Sequence, residues 1–222
     1  MTRALAAALL LLVPLSAHAT ISRAVAFEEK VENAAAIVVG ECINQRSQWD
    51  SARNWILTYS TFRIEKTLKG MPAQEITIVT PGGTVGHIAQ DVIGVPKFKP
   101  GDERVLFVRN SQAGPTVLYL EQGDYHVIEN RGEKLVKPAA DAAVMIDTGH
   151  GTAAAAEPIR TLRDFEGNVR ETMKRTELQK MELIERKKAE SSFWSQIQHN
   201  KVLVALALIG AALATWQLYK RW

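Results

Sequence analysis

Apolar and polar residues alternate through the middle of this chain and run together at its two ends. Residues 36–43 are almost all apolar and rich in β-branched side chains, the pattern of a strand buried on both faces. Residues 55–65 separate into two faces, with Ile56, Thr58, Ser60, Phe62 and Ile64 on one and Leu57, Tyr59, Thr61, Arg63 and Glu65 on the other. Residues 75–80, 104–109, 116–120, 125–129 and 134–136 continue the strand pattern. Turn chemistry separates them at Lys69-Gly70, Pro81-Gly82-Gly83, Pro100-Gly101-Asp102 and Gly114-Pro115. Ahead of the strands, 27–33 places Phe27 and Val31 four apart among charged residues, which predicts a short amphipathic helix. Residues 20–137 are therefore expected to form one mainly β domain, a small barrel or sandwich.

After Pro138 the large apolar side chains thin out. Ala139, Ala140, Ala142 and Ala143, then Gly149, Gly151 and the alanines at 153–156, predict an Ala/Gly-rich linker over 138–157. A charged helix is expected over 158–200. Leu162, Phe165, Val169 and Met173 fall three or four apart, and Glu166 with Arg170, Glu171 with Arg175, and Glu182 with Arg186 stand in the favourable i,i+4 order. Beyond Thr176 the stripe drifts through Leu178, Met181 and Ile184, favouring a single solvated helix over a coiled coil.

The ends are different again. Residues 1–19 carry Arg3, an apolar run and the small-x-small ending Ala17-His18-Ala19, the layout of a cleaved signal peptide. Residues 202–219 lack charge and would extend roughly 27 Å as a helix, enough to span a bilayer. Phe193, Trp194, Trp216, Tyr219 and Trp222 stand where interfacial aromatics belong, and Lys220 and Arg221 assign 220–222 to a cytoplasmic tail. The expectation is a single-pass membrane protein, held in the lipid bilayer by a transmembrane helix, with its N-terminal domain periplasmic or extracellular and its C-terminus cytoplasmic.

Composition narrows the function classes. The formal charge of +3 has no clustered basic face behind it, so nucleic acid is not an expected partner. Cys42 is the single cysteine, so no intrachain disulfide can form and stability must come from a core. Its apolar neighbours predict that it is buried.

Within the β block, Ala36-Ile37-Val38-Val39-Gly40, then Trp49-Asp50, then Tyr59-Ser60-Thr61-Phe62-Arg63-Ile64-Glu65-Lys66-Thr67-Leu68-Lys69-Gly70 resemble a family of exported bacterial domains of unassigned function. The likeness continues through Pro81-Gly82-Gly83, Val95-Pro96-Lys97-Phe98, Gly101-Asp102-Glu103-Arg104-Val105-Leu106-Phe107-Val108 and Gln122-Gly123-Asp124-Tyr125, covering about half the chain. That pattern is in turn similar to the OB-like barrel of netrin-type modules and tissue inhibitors of metalloproteinases. The resemblance implies an OB-like small barrel as the ectodomain. Those inhibitors reach a catalytic metal through an N-terminal cysteine held by disulfides, whereas this chain would begin at Thr20 after cleavage and has Cys42 alone.

Catalytic signatures are sparse. His87, His126, His150 and His199 are solitary, with no HxH, HExxH or cysteine partner at ligand spacing, so no metal site is expected. No GxSxG elbow is present, and the glycines of 81–86 lack the GK[ST] ending of a phosphate loop. Neither catalytic residues nor a cofactor are therefore assigned. The long loop from Pro81 to Phe98 is the candidate binding element, with Gly82, Gly83, His87, Lys97 and Phe98 as its marked residues. The expected function is a membrane-anchored extracytoplasmic interaction protein with a protein partner. An inhibitor or accessory partner of a secreted protease, and a hydrolase with an unrecognised site, stand as alternatives.

Overall fold

The computed structural model describes residues 22–52, 54–71, 73–140, 145–147, 152–153, 156–199 and 201–220. The expected signal peptide at 1–19, half of the expected linker, and Arg221 and Trp222 of the expected tail lie outside these residues. The chain divides into two units, one ending at Arg170 and the other beginning at Glu171.

Among the described residues, the first unit runs through β1 (Ser22–Arg23), α1 (Phe27–Asn33), β2 (Ala36–Asp50), β3 (Trp55–Lys69) and β4 (Glu75–Pro81). A small hairpin, β5 (Gly83–Val85) and β6 (Ile88–Gln90), precedes β7 (Glu103–Ser111) and β8 (Gly114–Val117). A 3-10 turn (Leu120–Gly123) leads to β9 (Asp124–Asn130), β10 (Glu133–Pro138), β11 (Met145–Asp147), β12 (Thr152–Ala153) and β13 (Arg160–Thr161). The main sheet runs β13-β10-β9-β7-β2-β3-β4, with β8 also paired to β7. Its ladders are antiparallel throughout.

The expected closed OB-like barrel is not formed. β8 and β9 take successive stretches of one edge of β7, and β8 approaches β4 closely enough that a Cβ on Gly114 would lie 3.2 Å from Val79 Cγ2. No ladder joins β8 to β4. β8 is only four residues long and includes Pro115, which has no N–H to donate, so it is a poor template for closure.

Both faces of the sheet are covered. On one, Val38, Cys42, Phe62, Ile78, Phe98, Leu106, Val108 and Val117 form a core, and Cys42 is fully buried, as its neighbours predict. On the other, α1 and the start of a long helix pack aromatic edges against the sheet. Phe27 meets Phe165 at 5.3 Å, and Phe165 meets Tyr125 at 5.1 Å, both edge to face. Two-sided burial explains why 37–39 reads as an unbroken apolar run.

The long helix, α2 (Leu162–His199), begins four residues later than Pro158. Residues 160–161 are already committed to pairing with β10, and the Thr161 hydroxyl caps the helix by accepting from Asp164 N at 3.1 Å. In the second unit, Leu178, Met181, Leu183 and Ile184 of α2 are exposed, followed by α3 (Lys201–Tyr219).

Among the described residues, no helix is long and apolar enough to cross a membrane. This overturns the expected transmembrane helix at 202–219 and the single-pass localisation built on it. α3 opens on Lys201 and carries the polar Thr215 and Gln217 near its end. A span needs about 20 predominantly apolar residues.

Candidate functional site

The polar second half of β2 creates the site. Pairing of β2 with β7 stops at Glu41 opposite Glu103, while pairing with β3 continues to Asp50 opposite Trp55. A register shift between Cys42 and Asn44 re-aims the side chains that follow. Beyond it, residues 98–102 lie along β2 in place of a strand: Cys42 N donates to Asp102 O at 2.9 Å, and Gly101 N donates to Cys42 O at 2.8 Å. Gln45 Nε2 then donates to the Phe98 carbonyl at 2.8 Å.

These contacts enclose a cleft of about 440 Å³ between β2, β3, the end of β4 and the 82–99 loop. Its floor is a chain of hydroxyls. Thr58 Oγ1 donates to Gly82 O at 2.7 Å, which leaves the Ser47 hydroxyl to donate to Thr58 at 2.8 Å. Gly83 is held so close to this pair that a Cβ would lie 2.2 Å from Thr58 Oγ1. Gln90 Oε1 accepts from Ile56 N at 2.6 Å and anchors β6 over the opening. At the mouth, Lys97 Nζ meets Asp91 Oδ1 at 2.8 Å, both side chains being largely exposed. The Lys97 ammonium, by hydrogen bond and charge, holds the Asp91 carboxyl below the usual range.

Behind the Lys97 wall stands a buried electrostatic cluster. Arg104 Nη1 donates to Asp124 Oδ2 at 2.9 Å and lies 3.0 Å from His126 Nε2. Arg104 Nη2 donates to Asp102 Oδ2 at 2.8 Å and reaches the Lys97 carbonyl at 3.5 Å. The guanidinium also sits 5.5 Å from the centroid of the Phe98 ring. Burial pushes the Asp124 carboxyl up to about 7 despite the opposing charge of Arg104. Burial and the Arg104 charge both hold the His126 pKa down.

A second buried cation occupies the opposite face of the sheet. Lys30, 2% exposed, donates to Tyr125 Oη at 2.6 Å, to Gln122 O at 3.2 Å and to Glu157 Oε1. Tyr125 Oη donates in turn to Glu157 Oε2 at 2.9 Å. Three acceptors use the three ammonium protons, so this group serves as a joint between α1, β9 and the 156–159 segment. Burial holds the Lys30 pKa down and pushes the Tyr125 pKa up.

Of the five marked loop residues, Gly82, Gly83, Lys97 and Phe98 line the cleft. His87 does not: it is exposed in the turn between β5 and β6. Phe98 is 2% exposed and stacks edge to face on Phe62 at 5.0 Å, so its ring packs the core behind the cleft. The hydroxyl and amide floor, together with the Arg104 cluster, escaped the sequence reading. Their signal was polar residues where strand patterning places buried ones, as at Thr58, Ser60 and Arg104. Among the described residues, no group of three or more His, Cys, Asp or Glu side chains is arranged to hold a metal ion. No protein-family model, curated protein or solved structure matches this chain.

Proposed function

We propose that this chain is a non-enzymatic binding module whose ligand seats in the cleft beneath the 82–99 loop. The observation that carries this reading is a cleft of about 440 Å³ whose floor is prearranged by side chain to main chain hydrogen bonds. That volume lies within the ordinary range for small-ligand sites. The lining combines apolar Val92, Val95 and Pro96 with hydroxyls, amides and three exposed charged groups, Asp91, Lys97 and Lys99. Such a lining suits a small polar ligand or the end of a peptide. Lys97 and Asp91 neutralise each other, and the buried titratable groups behind the wall are engaged in positioning, which favours binding over acid–base catalysis.

The test is a thermal-shift screen of the full chain against free amino acids, dipeptides and monosaccharides, run in parallel on Thr84→Trp, which fills the opening. Ligands should raise the melting temperature of the wild type and leave the variant unmoved. Equal shifts in both proteins, or none with any compound, would remove the cleft as the site.

A further inference from the structure

One side chain holds the cleft wall from behind. Arg104 is 5% exposed and joins the Lys97 carbonyl, the Asp102 carboxylate and the Phe98 ring on one side to Asp124 and His126 on the other. Asp124 is 2% exposed, and its Oδ1 atom is buried with no hydrogen-bond partner among the described residues. One oxygen of that carboxyl is therefore desolvated without compensation, which disfavours its ionised form.

We infer that Asp124 and Arg104 form a proton-operated latch on the cleft wall: proton uptake by Asp124 removes the buried counter-charge of Arg104 and releases the 97–102 segment, so the cleft holds ligand above neutral pH and lets it go in mildly acidic solution. This rests on the reading of the cleft as the ligand site. With Asp124 neutral, the remaining anion in contact with the guanidinium is Asp102, whose side chain is 29% exposed. Arg104 then moves outward with Asp102 while Asp124 stays buried, and without the guanidinium that opposes its protonation Asp124 binds its proton more tightly in the released state than in the latched one. Asp102 belongs to the turn whose backbone is bonded to Cys42, so the movement carries the wall with it.

The surrounding charges act in the same sense. His126 on β9 gains its proton below its ordinary range, because burial and Arg104 oppose the charge, and a second cation then stands 3.0 Å from Nη1. Lys137 on β10 also disfavours the charged imidazole. Glu121 on the 3-10 turn and Asp102 both raise the proton affinity of Asp124. Lys97 moderates Glu121, and the Cys42 thiol on β2, pushed up by burial, stays neutral beside Asp102 and Arg104.

Hydrogen exchange of the full chain from pH 5.5 to 8.5, corrected for the intrinsic pH dependence of exchange, tests the latch without any ligand. Peptides covering 96–102 should exchange at least tenfold faster at pH 6 than at pH 8 in the wild type, with a midpoint near 7. Asp124→Asn should be fast at every pH, and His126→Gln should keep the wild-type midpoint. A flat wild-type profile, or a midpoint that persists in Asp124→Asn and moves in His126→Gln, would overturn the assignment. Should Asp124→Asn exchange across 56–62 as an unfolded chain does, the decision passes to the ¹³C carboxyl titration of Asp124 in the wild type. Agreement of that midpoint with the exchange midpoint within one pH unit supports the latch, and a wider separation refutes it. A cleft that binds nothing leaves every one of these readouts unchanged, so the two readings fail separately.

Discussion

Replacing Gly83 by alanine tests whether the cleft floor is built as described. Gly83 has φ +131°, in a region that side-chain-bearing residues rarely enter, and holding alanine there costs about 1–3 kcal/mol. The new methyl would sit 2.2 Å from Thr58 Oγ1 and 2.5 Å from Ser47 Oγ, so both hydroxyls must leave. That breaks the bond from Thr58 to Gly82 O and the bond from Ser47 to Thr58, each worth about 1 kcal/mol. Loss of chain freedom in the unfolded state returns about 0.4–1 kcal/mol. The net destabilisation is about 3 kcal/mol, read from urea unfolding of the full chain followed by tryptophan fluorescence. At a denaturant slope of about 2 kcal/mol/M, the midpoint falls by roughly 1.5 M. Gly86→Ala is the control, since its φ is +58° and a Cβ there would meet nothing within 4 Å. It should cost about 1 kcal/mol or less. Removing the obstruction in advance with Thr58→Ala should make the Gly83 substitution cheaper by about 1 kcal/mol, as groups in contact do not add independently. Equal costs at Gly83 and Gly86, or strict additivity with Thr58→Ala, would refute the packing of Gly83 on the hydroxyl pair.

Stability should also respond to Asp124. Its folded carboxyl is raised from 3.8 to about 7, so the native state binds more protons than the unfolded chain between those values, and stability falls as pH rises through that window. The difference between wild type and Asp124→Asn in denaturant titrations should change by about 4 kcal/mol between pH 4 and 8, and a flat difference would contradict this. At the Lys30 joint, Glu157→Ala strands a lysine that is 2% exposed and should cost about 3 kcal/mol, whereas Lys30→Met frees a carboxylate that water can reach and should cost less than about 1 kcal/mol. The reverse order in unfolding midpoints would sink that account. Lys97→Gln should leave the urea midpoint unchanged, because its ion pair with Asp91 is 73% and 74% exposed. Cys42, whose thiol burial pushes up, should react with a thiol reagent at the rate of unfolding, so modification within seconds in native buffer would contradict its burial.

Much of the β unit was legible because two-sided burial and alternation leave plain traces. Ile56, Ser60 and Phe62 share a face in β3, and Ile37, Val38 and Val39 are buried on both. The second half of β2 was not legible. Asn44-Gln45-Arg46-Ser47-Gln48 has no apolar alternation to mark it, and it is a strand because β3 pairs with it along its length. Barrel closure was beyond reach for a similar reason, since it depends on whether two distant strands share a ladder, and local pattern contains no term for that. Lys97 and Phe98 close the long loop marked for binding, beside Lys99. The lysines are exposed, but Phe98 turns into the core because strand β3 presents Phe62 to it. Arg104 opens the strand expected over 104–109, and its burial was not legible because the partners that make it tolerable lie on other elements. The apolar run at 202–219 was plain in the sequence, yet among the described residues no helix is long and apolar enough to cross a membrane.

The Lys30 joint also constrains the order in which the molecule is completed. Tyr125 and Glu157, which receive its protons, lie 95 and 127 residues downstream. At about 5–20 residues per second of synthesis, Glu157 is made some 6–25 s after Lys30. During that interval α1 cannot bury its lysine without leaving a cation unpaired. α1, although made early, is thus among the last elements to dock, and its seating reports that the chain as far as Glu157 has arrived.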